Sequence, residues 1–284
     1  MYQLKKAYLE ITNVCDLHCE FCPGTRREPG LLSPEGFRIL AEKLRPHTGY
    51  LYLHLMGEPL IHPRLEQILN CAESLGFKVM ITTNGTRLPE RGPLLLASPA
   101  VEKVSISLHS FEGNRREGLE GYLDSCIRFA QSAAGTGKRC ALRLWNLDGR
   151  DVQGANSRNK EILAALERAF PRPWKEGPRG VTLSPNVFLE WGERFQWPDL
   201  SAPEEDGPAF CYGLRDQVGV LWDGTVVPCC LDHEGDIPLG DLYRQTLEEI
   251  LDSPKARGIY DGFSQRKAQE ELCRRCGFSR RFRT

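Results

Sequence analysis

Short runs of apolar and β-branched residues alternate along the chain with segments of helical periodicity, and this alternation limits the possible folds more than any other feature. Residues 7–12, 50–55, 78–83, 103–108, 139–145 and 181–189 read as six strands. Helical patterns fall between most of them, at 34–44, 63–75, 121–133 and 158–170. Ser33-Pro34 places a side-chain acceptor at the N-cap and a preset φ in the first turn, and Gly76 stops the second helix. Parallel neighbours need a long crossover, usually a helix, so the pattern predicts an α/β fold with a parallel sheet. A length of 284 residues suits one large domain with a small appendage.

A stretch rich in Pro, Trp and Gly, residues 191–207, reads as the link to a second unit, giving domains 1–195 and 196–284. In that unit Asp223-Gly224 sits between strand-like runs at 218–222 and 225–227, a hairpin signal, and a helix is expected over 246–251. No internal repeat or low-complexity segment is evident.

Lys and Arg total 37 against 38 Asp and Glu, so net charge predicts no general affinity for nucleic acid or membrane. No apolar run is as long as a bilayer span, and the first ten residues are not a signal peptide. Eleven cysteines without a secretion signal predict reduced thiols in the cytoplasm, where clustered cysteines hold metal. The first strand begins by about Ala7, so no N-terminal leader-binding domain is expected.

Cys15, Cys19 and Cys22 follow the first strand in the spacing C-x3-C-x2-C. Three thiolates leave one iron of a [4Fe–4S] cube without a protein ligand, and an open iron can bind a substrate or cofactor. A zinc knuckle completed by His18 or a distant cysteine is the competing reading. The segment, with Phe21 just before the third cysteine, resembles the signature of the radical S-adenosylmethionine (SAM) superfamily. The resemblance implies a partial (β/α)6 barrel in which SAM chelates the open iron through its amino and carboxylate groups. It further implies reductive cleavage of SAM to a 5′-deoxyadenosyl radical that takes hydrogen from a substrate. Cys15, Cys19 and Cys22 would then be both metal ligands and the catalytic centre.

The same resemblance assigns SAM-binding roles. Met56-Gly57-Glu58-Pro59 is similar to the family's G-G-E-P motif, with Met56 replacing the first glycine, and Glu58 suits the SAM ammonium. Ser107, at the end of strand four, would contact the SAM ribose or carboxylate. Ser105 shares its side of the strand and reads equally well as a structural hydroxyl. Arg143 suits the SAM carboxylate or a framework salt bridge, Asn146 suits ribose hydroxyls, and Phe21 would pack near the adenine. The segment Thr82-Thr83-Asn84-Gly85 is a turn that could line the same pocket. His54 and His109 lie near strand ends, and Glu190, Glu193 and Arg194 follow strand six, where any of them could reach substrate.

Cys211, Cys229, Cys230, Cys273 and Cys276 form a second set. Their spacing around Gly224 and Gly240 resembles the SPASM/twitch extension, a small hairpin-plus-helix domain holding auxiliary iron–sulfur. Five cysteines are too few for two clusters. Cys211, Cys229, Cys273 and Cys276 are assigned to one auxiliary [4Fe–4S] cluster, with Cys230 spare and Cys229 preferred on spacing. A four-cysteine zinc ribbon fits the same residues. Arg274, Arg275, Arg280, Arg281 and Arg283 crowd this end, where they could raise a cluster potential, dock an acidic redox partner or be a solvated tail. Cys71, Cys126 and Cys140 read as small buried residues, with Cys126 a remote hydrogen-donor candidate.

The combined expectation is a radical SAM oxidoreductase that oxidises a small molecule or peptide side chain by two electrons through the auxiliary cluster. It would be fed by a low-potential donor such as flavodoxin or ferredoxin. A redox-neutral epimerase or peptide maturase is the alternative within the family. An iron–sulfur electron carrier or a structural zinc protein is the alternative outside it.

Overall fold

The computed structural model describes residues 2–114, 118–147 and 157–282. The expected alternation is present. Strand β1 (Lys6–Leu9) leads to helix α1 (Pro34–Leu44), β2 (Tyr50–Tyr52), α2 (Leu65–Ser74), β3 (Lys78–Thr83), α3 (Leu88–Ala97) and β4 (Val101–Ser107). The short α4 (His109–Glu112), α5 (Leu119–Gly135), β5 (Arg139–Leu147) and α6 (Ser157–Ala169) follow. In α1 the Ser33 hydroxyl accepts from Gly36 N at 3.0 Å, and Phe37, Leu40, Ala41 and Leu44 form the buried i, i+3, i+4, i+7 face. Helix α3 escapes the sequence patterns because it is apolar on most sides and carries Pro93 in its interior.

The sixth strand differs from expectation. Residues 181–189 are not one strand. Pro185 and Asn186 (φ 63°) break the run into β7 (Gly180–Ser184) and β8 (Val187–Glu193), which pair antiparallel, with β6 (Lys175–Gly177) outside them. Pro has no N–H for a ladder and Asn tolerates the left-handed conformation, so a turn forms where apolar character suggested continuity. β8 is the sixth parallel barrel strand, beside β5, and it places Glu190 opposite Arg143.

The C-terminal hairpin joins the same sheet. β9 (Gln217–Val220) pairs in parallel with β1, and β10 (Thr225–Val227) and β11 (Gly240–Asp241) extend the edge antiparallel. The sheet is eleven-stranded, in the order β11-β10-β9-β1-β2-β3-β4-β5-β8-β7-β6. Helices α7 (Leu247–Leu251), α8 (Pro254–Ser264) and α9 (Glu271–Arg274) close the chain, α7 beginning with a Thr246–Glu249 capping box. Outward residues such as Val104 and Ile106 enter the helix-facing core, which continues to Ile259 and Phe263 of α8. Inward residues are polar or aromatic, Tyr8, Tyr52, His54, Ser105, Ser107 and Arg143 among them. Among the described residues, no helix is long and apolar enough to cross a membrane.

Candidate active site

The cysteine loop leaves the C-terminal end of β1 and is pinned at both arms. Thr12 Oγ1 donates to Gly30 O at 2.9 Å, and the Asn13 amide bonds Glu28 O and Gly30 N at 2.9 and 2.8 Å. Arg27 returns to the strand end in a bidentate ion pair with buried Glu10, at 2.9 and 2.7 Å. The Glu10 carboxylate also accepts from Met56 N and Trp222 N, both at 3.2 Å. One buried anion thus ties together the cysteine loop, the turn after β2 and the C-terminal hairpin.

N–H donors surround the thiols. Leu17 N and Asn84 Nδ2 approach Cys15 Sγ at 3.4 and 3.8 Å, and Asn114 Nδ2 reaches Cys19 Sγ at 3.0 Å. Asn114 Oδ1 also accepts from His18 N at 2.8 Å, which fixes the amide. Burial pushes the Cys15 thiol up to about 12 and raises Cys19. Such thiols ionise only against a strong local cation, which iron supplies, and the N–H donors suit the resulting thiolates. Cys22 is exposed, one turn from Cys19, with its N–H on Cys19 O at 2.9 Å. All eleven cysteines are free, and among the described residues no three His, Cys, Asp or Glu side chains are grouped as ligands of a single metal ion.

The turn after β2 docks on this loop. Gly57 has φ 74°, and a Cβ there would lie 2.5 Å from Thr12 O and 2.7 Å from Val14 O, so only glycine fits. Glu58 N donates to Val14 O at 2.8 Å. The Glu58 side chain is buried, one oxygen accepting from Leu60 N at 3.0 Å and the other from Asn84 N at 2.7 Å. Burial pushes its carboxyl up to about 7, against the pull of those donors. The Thr83 hydroxyl also bonds this carboxylate, and an arriving ammonium would restore its full ionisation. Glu58→Gln should therefore weaken SAM binding about 10- to 100-fold, the value of one charge-assisted hydrogen bond, with iron content unchanged. Calorimetry on the reconstituted protein checks this, and equal affinity for both forms would remove Glu58 from the site.

Ser107 is buried at the end of β4, in register with Arg143 on β5. The Arg143 guanidinium stacks on Trp145 at 3.5 Å and reaches Thr82 Oγ1 at 3.5 Å, while its Nε has no partner. No carboxylate pairs with it among the described residues; Glu190, the nearest by register, is held by Lys103 at 2.7 Å. Burial lowers the Arg143 pKa to about 10. Phe21 packs on the His109 ring at 4.8 Å, and His109 Nδ1 faces Arg143 O and Trp145 N at 3.1 and 3.3 Å. Asn146 forms a reciprocal amide pair with Asn159, at 2.8 and 3.1 Å, which occupies much of its bonding capacity. Asn114 and Asp16 carry no assignment from the sequence. Asp16 accepts from Asn84 Nδ2 and Thr86 Oγ1 at 2.8 and 2.7 Å and thereby buttresses the loop. Neither belongs to a spacing pattern, so only proximity reveals them.

In the second cysteine set, Cys211 and Cys229 flank Gly213. A Cβ there would sit 3.7 Å from Cys211 Sγ and 3.8 Å from Cys229 Cβ. Cys211, Cys230, Cys276 and Cys273 all act on Cys229 electrostatically, and burial raises each of these thiols. The adjacent Cys230 acts on Cys211, Cys229 and Cys276 as well, and takes a hydrogen bond from the Tyr8 hydroxyl inside the barrel. Arg274 is paired with Glu204 at 3.2 Å and Arg275 with Glu271 at 2.9 Å. Arg283 and the side chains of Arg280 and Arg281 lie outside the described residues.

Comparison with known proteins agrees with this geometry. Residues 9–137 match the radical SAM superfamily, and residues 211–277 match SPASM, an iron–sulfur cluster-binding domain. The chain is 30% identical to the PqqA peptide cyclase of Streptomyces rochei over 306 residues, 94% of this chain and 80% of that protein. The chain belongs to the radical SAM superfamily. Its cofactors are those of its two domains: SAM with a [4Fe–4S] cluster, and auxiliary iron–sulfur. The Bacillus subtilis subtilosin biosynthesis protein AlbA is 24% identical over 96% of this radical SAM chain and 65% of its own length. A cofactor-modifying protein for tungsten-containing aldehyde ferredoxin oxidoreductase, from Pyrococcus furiosus, is 36% identical over 110 residues. That match covers 37% of this chain and 31% of the relative, so the chain spans less than two thirds of some relatives it matches. Among solved structures, BtrN in complex with AdoMet and 2-DOIA aligns with TM-score 0.61 at 17% identity, over 97% of this chain and 94% of that one. Streptococcus suis SuiB bound to precursor peptide SuiA aligns with TM-score 0.60 at 15% identity, over 91% and 67%. These likenesses show the radical SAM fold.

Proposed function

We propose that this radical SAM enzyme oxidises a side chain of a peptide by two electrons, with the auxiliary centre as electron acceptor. The cluster and SAM, when bound, supply a 5′-deoxyadenosyl radical that abstracts hydrogen. Cys15, Cys19 and Cys22 hold the cluster, Gly57 and Glu58 seat the SAM ammonium, and Ser107 and Arg143 seat its carboxylate. Phe21 lies against the adenine, and Asn146 stands at the ribose with what capacity its pairing with Asn159 leaves. Cys211, Cys229, Cys273 and Cys276 hold the auxiliary centre in a unit spanning residues 196–284, beside a barrel unit spanning 1–195. Cys230 is left free by its turn toward Tyr8. A flavodoxin- or ferredoxin-like protein supplies the first electron.

The observation that carries this reading is the parallel pairing of β9 with β1. It puts the Cys229-Cys230 corner against the barrel wall, where Cys230 packs with Tyr8 and Leu55. An auxiliary centre held at that corner would lie against the barrel wall and could supply an electron acceptor there. Peptide substrates are preferred because PqqA peptide cyclase aligns along nearly the whole chain. Removing Cys273 and Cys276 together should leave SAM cleavage intact and abolish product lighter by two hydrogens, read by mass spectrometry with candidate peptides. Continued formation of that product would end the oxidative reading. A redox-neutral epimerisation has one observation in its favour: Cys230 Sγ, beside the lumen, is positioned to return a hydrogen atom. A product of unchanged mass in water that carries deuterium from heavy water would establish that reading instead.

A further inference from the structure

Lys6, half-buried at the start of β1, has no ion-pair partner among the described residues. Lys6 and Tyr8 point inward from β1, and Tyr52 and His54 from β2 and the residues just beyond it. Lys6 Nζ donates to the Tyr8 hydroxyl at 3.0 Å and stands 5.0 and 4.9 Å from the centroids of the Tyr8 and Tyr52 rings. Among the described residues no carboxylate pairs with it. The nearby Asp216 is taken by exposed Lys5 at 2.6 Å. Arg143 inside the barrel and exposed Arg179 in the β6–β7 turn add further positive charge, and Glu190 is the partner of Lys103. The His54 ring meets Tyr8 edge-on at 5.5 Å, and its buried Nδ1 has no hydrogen-bond partner. Lys6, Tyr52, His54, Arg143 and Cys230 all keep part of their surface accessible.

We infer that Lys6, with His54 beside it, forms a subsite for a carboxylate on the substrate. The inference rests on the radical SAM reading for where substrate lies and adds its chemical class. Burial lowers Lys6 from its usual range, Cys230 and Asp216 offset that only in part, and no carboxylate among the described residues forms an ion pair with it. Burial and the two cations hold His54 down at about 3, so it is a neutral imidazole whose free nitrogen completes one hydrogen bond. One ammonium and one imidazole match the single charge of a carboxylate. Arg143, nearer the SAM end beside Ser107, remains for the SAM carboxylate. The Tyr8 and Tyr52 rings, 5.0 Å apart, both lie to one side of the Lys6 ammonium, hold it in place and supply an apolar wall for the chain carrying the acid.

The test uses reconstituted holoenzyme saturated with SAM, titrated calorimetrically with N-acetylglutamate amide, its glutamine isostere, succinate and inorganic phosphate. The glutamate amide should bind and the glutamine isostere should not. Lys6→Met should weaken binding at least about tenfold, and Lys6→Arg should restore most of it, with SAM affinity unchanged in both. Binding of the amide above succinate identifies an acidic peptide side chain as the source, and the reverse order identifies a free small acid. Four results would overturn the inference: equal binding of the neutral isostere, no binding of either carboxylate, insensitivity to Lys6→Met, or tighter binding of phosphate. Competition by SAM would also overturn it, since the free cations would then serve only the cofactor. SAM cleavage without substrate is read in parallel, so failure of the enzyme reading is seen separately.

Discussion

Changing Cys15, Cys19 and Cys22 together to alanine should abolish 5′-deoxyadenosine formation and remove about half of about eight irons per chain. The loop itself should survive. Its arms are held by Thr12, Asn13 and the Glu10–Arg27 pair, none of which uses a thiol. The auxiliary cysteines come from residues 211–276, and their iron should be retained. Iron and sulfide analysis with chromatography of SAM products makes the measurement. A triple variant that still cleaves SAM reductively would move the active centre elsewhere. One that loses all iron would show that the two sites fold as one.

Glu10→Ala should cost about 3–5 kcal/mol of stability, the usual penalty for removing one partner of a buried ion pair. The Glu10 side chain is fully buried and Arg27 is 12% exposed, so the stranded guanidinium finds little water. Met56 N and Trp222 N lose their acceptor at the same time. For a chain of this size the melting temperature should fall by on the order of 10 °C. Thermal unfolding of anaerobic samples matched for iron content reads the loss. Glu10→Ala combined with Arg27→Met should recover part of it, because no uncompensated charge then remains. A loss below about 1 kcal/mol would mean that the pair does not join the hairpin to the cysteine loop.

The chemistry was legible in sequence where it depends on short spacings. Three cysteines within eight residues cannot avoid sharing one loop. Gly57-Glu58 sits after a strand because the parallel sheet puts every such turn on one end. Ser105 and Ser107 were placed on one side of β4 by the two-residue period of a strand, and both are buried with little exposed surface. Asn146 was legible as a polar strand-end residue, but not its engagement with Asn159, thirteen residues away on a helix.

Sequence alone determined the alternating α/β architecture, the positions of both cysteine sets and the cofactor family, because local periodicity and covalent spacing hold in any surroundings. It also supplied the two neighbouring thiols Cys229 and Cys230, with Cys229 preferred on spacing. Tertiary structure decided where that corner sits: it lies in a turn after β10, and Cys230 packs against Tyr8 and Leu55. It likewise decided that the C-terminal hairpin extends the barrel sheet, and that residues 181–189 fold back on themselves to deliver Glu190 to the lumen. The uncompensated charge of Lys6 has the same origin. Whether a lysine has a counter-ion depends on which side chains non-local strand pairing brings near it, and no window of sequence contains that information.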